Sequence, residues 1–151
     1  MRSNALVLLL AVPLGCGGPA AGGNAGWTPI AHNALYAIAL DATRLTSLYN
    51  HIYIVRYRTD HAVPHMYKDT EFNREIVVSY LRCGDLAFKV AAVDMSMRGH
   101  GTAVQQRSDE SDLAQQEWRH VEPGTIEATA ARRTCDFARA HEMEIAERSR
   151  R

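Results

Sequence analysis

The chain has 151 residues, with 17 lysine and arginine side chains balanced by 17 aspartate and glutamate and a formal net charge of zero. That balance provides neither a basic field for nucleic acid nor an acidic field for storing cations. The length suits one domain with room for a core, and the three cysteines turn attention to compartment and cross-linking.

The first residues, MRSNALVLLLAVPLGC, place Arg2 before an apolar run from Ala5 to Gly15, followed by small residues. This is the architecture of a signal peptide, and the run is well short of the roughly 18 residues a spanning helix needs. Two cuts compete. Gly15-Cys16 matches the end of a bacterial lipobox, although Pro13 and Leu14 depart from its preceding pattern; processing there removes residues 1–15 and leaves Cys16 to carry a lipid. An ordinary cut after Ala25 removes residues 1–25, Cys16 included. Residues 16–26 are mostly glycine and alanine and read as a flexible tether, and the folded domain is expected over residues 27–148.

Either cut leaves Cys83 and Cys135 in the folded part. An even number of cysteines in an exported chain favours one disulfide, the alternative being two buried free thiols.

In chain order, residues 34–40 form a short apolar run, and residues 52–59 alternate so that Tyr53, Val55 and Tyr57 share one face while Ile52 and Ile54 give way to Arg56 and Arg58 on the other. Residues 75–83 and 86–95 read as a hairpin across Gly84-Asp85, with Cys83 facing the same way as Leu81, Ser79 and Val77. A short strand over 102–106 and a polar loop over 107–112 follow. After Pro123-Gly124, Thr125 can cap a helix with Glu127 in its first turn. Ile126, Ala130, Ala131, Phe137, Ala138 and Ile145 then fall on one stripe with Cys135 at its edge, and the last residues are expected to fray. Strands followed by a helix predict an α+β domain: an antiparallel sheet with the C-terminal helix on one face, tied to it if Cys83 and Cys135 bridge.

Trp27, the strand ending at Leu40-Asp41, the strand IYIVRYRT, Cys83 closing a later strand, and the closing WRHVEPGTIEATAARRTC with its Trp118, Pro123-Gly124-Thr125 and Cys135 spacing together resemble the surface-adhesin protein E family of bacterial envelope proteins, over roughly residues 27–137. The resemblance implies a curved antiparallel sheet of about six strands with a C-terminal helix bridged to its concave side. It implies a cell-envelope location, outer-membrane-anchored, periplasmic or secreted, and adhesion to a host extracellular-matrix or envelope macromolecule. Strand edges free to pair into a homodimer would be compatible with it. No catalytic signature travels with it, and no Ser/His/Asp order, phosphate loop or paired-carboxylate motif stands out in the residues, so neither an enzyme nor a cofactor is expected.

Two patterns compete for a binding role. Arg56, Arg58, Arg82 and Lys89 are strand cations, with Tyr53, Tyr57 and Tyr80 near them in sequence, and could form a basic strip for acidic glycans or proteins; the bland alternative is a solvated sheet face with edge charges. His61 and His65, beside Asp60, suggest half a metal or ligand site, against the bland reading of a polar loop in which Pro64 forbids a helix. Asp41 and Asp94 read as turn residues at strand ends, and Trp27 and Trp118 as core anchors.

Overall fold

The computed structural model describes residues 26–150. The proposed signal peptide, Cys16 and all but the last residue of the proposed tether lie outside the described residues. The domain is an open antiparallel sheet with a C-terminal helical segment on one face. Six strands form its main path: β1 (Trp27–His32), β2 (Tyr36–Asp41), β4 (Ile52–Tyr67), β5 (Thr70–Arg82), β6 (Ala87–Ser96) and β7 (Val104–Arg107), in the order β1-β2-β4-β5-β6-β7. Two strands of two residues each join from the side, β3 (Thr46–Ser47) on β4 and β8 (Arg119–His120) on β6, making eight. Among the described residues no helix is long and apolar enough to cross a membrane.

The expected strands are present, but the central pair is longer than periodicity showed. β4 continues from Thr59 through His61 and Pro64 to Tyr67, so the polar-loop reading of that stretch is wrong. The pairing with β5 shifts between Asp60 and His65, and this irregularity is where proline is tolerated in a sheet. The Gly84-Asp85 connection is a four-residue turn from Cys83 to Leu86, closed by the Arg82–Ala87 pair; Leu86 takes a left-handed φ of 51°. The stretch read as a loop over 107–112 starts a short helix, α1 (Glu110–Gln115), because the Asp109 side chain accepts from the amide of Asp112.

The tail helix forms where its cap predicts. Thr125 accepts from the amide of Ala128 at 3.1 Å and opens α2 (Ile126–Ala140); α3 (Glu142–Ser149) follows after an interruption at His141. Within the stretch expected to fray, Arg148 donates to the carbonyls of Ala42 and Leu45, and the Ser149 hydroxyl accepts from the amide of Ser47.

The predicted apolar stripe of α2 and α3 meets the helix-side face of the sheet. Ala130, Ala131, Ala138 and Ile145 join Ile38, Leu40, Val55 and Leu81 in one buried cluster. Cys83 and Cys135 are bridged, which decides between the disulfide and the free thiols and fixes α2 to the β5–β6 turn across 52 residues of sequence. The opposite edge is sealed by a side chain. Between the short pairings of β6 with β8 and with β7, the Gln116 amide accepts from the Val90 amide at 3.2 Å and donates to the Val90 carbonyl at 3.1 Å, taking the place of a missing strand.

Candidate functional site: a cleft between sheet and helix

α2 packs chiefly on β1, at one side of the sheet, and four of its six buried residues are alanines. One helix lying over that side leaves the same face of β5 and β6 uncovered, and methyl groups are too short to fill the space. The result is a cleft of about 360 Å3, within the size range of small-molecule sites.

The cleft has an apolar body. Its floor is Val55 and Tyr57 on β4, Val77 and Leu81 on β5 and Phe88 and Val90 on β6, while Ala130 and Ala131 form the helix wall. A polar cluster lies among the remaining lining residues. Tyr36, His61, His65, Glu75 and Glu127 all line the space, and no lysine or arginine does. The Tyr36 hydroxyl donates to Glu127 Oε1 at 3.3 Å. Desolvation, followed by the charge of Glu127, raises the Tyr36 pKa above its ordinary value.

His61 is the most unusual member. Its side chain is 13% exposed, yet among the described residues neither ring nitrogen has a hydrogen-bond partner. Glu75 Oε2 is 3.6 Å from Nε2, too far for an ordinary hydrogen bond. The His65 ring meets it edge-on with centroids 4.4 Å apart, and Phe72 lies against both rings. Leaving a buried polar atom without a partner costs about 1–3 kcal/mol, a cost that a bound polar group would remove. The pair singled out in the sequence is brought together. Among the described residues no group of three or more His, Cys, Asp or Glu is placed to hold an ion.

The basic strip is arranged differently from its sequence reading. Tyr53 and Tyr57 do not accompany the cations: they lie on the helix side, Tyr53 buried in the core and Tyr57 donating to Thr134 Oγ1 of α2 at 2.8 Å. The alternation of β4 puts Arg56 and Arg58 on the other face, as it must. The structure also engages these cations with its own groups. Arg56 bonds Asp41 at 3.3 Å, Arg58 pairs with Asp60 at 3.1 Å, and Arg82 makes two bonds to Asp85, at 2.8 and 2.6 Å. Lys89 donates to the carbonyl of Leu113 at 2.9 Å. The Arg82 guanidinium holds the Asp85 carboxyl below the usual carboxylate range.

Both tryptophans are half-buried plates under these cations rather than core anchors. Arg56 and Arg58 lie 5.3 and 5.2 Å from the Trp27 ring, and Arg82 and Lys89 lie 4.4 and 5.3 Å from the Trp118 ring. Asp41, read as a turn residue, is a buried anchor that accepts from Thr43 and Arg56; Asp94 pairs with Arg107.

The cleft itself was not legible in the sequence. Its residues come from four strands and a helix, and only the alanine-rich face of α2 hinted that the helix would leave space.

No protein-family model matches the chain, and no curated protein matches it. Among solved structures the chain is similar to protein E from non-typeable Haemophilus influenzae, with 14% identity over 88% of this chain and 93% of that one and a TM-score of 0.49. A likeness of this strength assigns no ligand.

Proposed function

We propose that this chain is an exported, non-enzymatic binding domain of the cell envelope that holds a small, largely apolar molecule in the cleft between sheet and helix. The cleft carries the reading: it joins an apolar body to a polar cluster whose central imidazole has unmet hydrogen-bonding capacity. The leader-like N-terminus supports export, and the Cys83–Cys135 bridge fits an oxidising compartment. Anchoring through a lipid on Cys16 belongs to the same proposal, and intact mass of membrane-extracted protein tests it.

Adhesion to a host or envelope macromolecule is the alternative role, implied by the sequence resemblance. The strip named for it is occupied by internal ion pairs and hydrogen bonds, which favours the cleft as the site. The deciding measurement is fluorescence of N-phenylnaphthylamine, a neutral apolar dye that brightens on leaving water, titrated with the purified domain. Saturable enhancement that Val77→Phe abolishes, with the melting transition retained, supports the reading. No enhancement with the native protein rejects it.

A further inference from the structure

Resting on that reading, we infer that the cleft selects amphiphiles with a cationic amine head, the apolar body lying between β4–β6 and α2 and the ammonium meeting Glu75 and Glu127 beside His61.

The argument is charge complementarity at an apolar cavity. Two carboxylates line the space and no lysine or arginine does. Tyr36 bonds one Glu127 oxygen, and a carboxylate has acceptor sites to spare. Glu127 lies in the first turn of α2. The Arg98 guanidinium comes to this end of the domain, but it donates to the backbone carbonyl of His61 at 3.4 Å and is not part of the lining.

The buried ring of His61 supplies the second observation. In its neutral form one nitrogen accepts a hydrogen bond, and no group of the described residues donates to it. An ammonium has three donors and no acceptor, so it can serve two carboxylates and one imidazole nitrogen together. An anionic head would instead face two carboxylates, and a hydroxyl offers a single donor. The volume, equivalent to about a dozen waters of liquid, excludes a bulky polycation and leaves room for one short alkyl or aryl group. Exposed Leu35, whose carbonyl accepts from the Ala62 amide next to His61, adds apolar surface near this polar cluster.

The test uses three eight-carbon probes of the same apolar length: octylamine, 1-octanol and octanoate, each displacing N-phenylnaphthylamine from the full chain at neutral pH. Octylamine is expected to bind about tenfold tighter than octanol, the scale of one charge-assisted contact, with octanoate weakest. Glu127→Gln and Glu75→Gln should each shrink the ratio of octylamine to octanol affinity several-fold. Octanoate binding as tightly as octylamine, or an amine preference that survives both substitutions, overturns the inference while leaving an apolar site in place. Failure of the dye and all three probes to bind removes the cleft as a site altogether.

Discussion

The Tyr57 hydroxyl, on the central strand β4, donates to Thr134 Oγ1 in the middle of α2 at 2.8 Å, and Thr134 in turn donates to the carbonyl of Ala130 at 2.9 Å. This is a polar bridge beneath the helix at the inner end of the cleft. Tyr57→Phe keeps the ring and removes the bond, so it should cost about 1 kcal/mol at neutral pH in a urea titration.

The same bridge gives a pH signature. Burial raises the Tyr57 pKa above its ordinary value of 10.0, opposed in part by the bond to Thr134. The folded state thus favours the neutral phenol; its contribution is fully present below about pH 10 and is lost as pH rises further. Native protein should lose stability with rising alkalinity more steeply than Tyr57→Phe. Parallel curves for the two above pH 10 would contradict this.

Breaking the Cys83–Cys135 bridge should act on the tail first. On the chain-entropy model a loop of 52 residues corresponds to about 4 kcal/mol, a large part of a small domain's stability. The doubly substituted Cys83→Ala, Cys135→Ala protein should be cleaved readily after Pro123, where the native protein resists. Equal protection in limited proteolysis would mean that packing alone holds α2.

The outer-face cations are expected to matter for stability more than for binding acidic polymers. Asp41→Ala removes the partner of Arg56 and of Thr43 in a buried setting and should cost about 2 kcal/mol. On a heparin column, Arg56→Ala and Arg82→Ala should elute at nearly the same low salt as the native chain. A marked drop in retention for either would restore the strip as a binding surface.

Gln116 offers a test of the sealed edge. Gln116→Ala removes the acceptor of the Val90 amide and one of two donors to the Val90 carbonyl between β8 and β7, and should lower stability by about 1–2 kcal/mol and increase concentration-dependent aggregation, read by light scattering.

Zinc titration separates the two uses of the histidine pair. With no group of three or more His, Cys, Asp or Glu placed to hold an ion among the described residues, the native chain should hold zinc no more tightly than a His61→Ala, His65→Ala variant.

Local rules in the sequence determined the elements with strong periods or chemically obligate ends. Alternation in residues 52–59 separates Tyr53, Val55 and Tyr57 from Arg56 and Arg58, and Thr125 with Glu127 starts α2, because strand period and helix capping depend on near neighbours alone. The cysteine pair was legible as a choice between bridge and free thiols. Tertiary structure decided that choice, and it decided what lay beyond local rules. It extended β4 past Pro64 through an irregular pairing with β5, matched Arg56 and Lys89 with acceptors distant in sequence and Arg82 with one across a turn, and let Gln116 complete a strand edge. The cleft belongs to the same class: it exists because one alanine-faced helix covers part of a wider sheet, a relation between areas that no single stretch of residues contains.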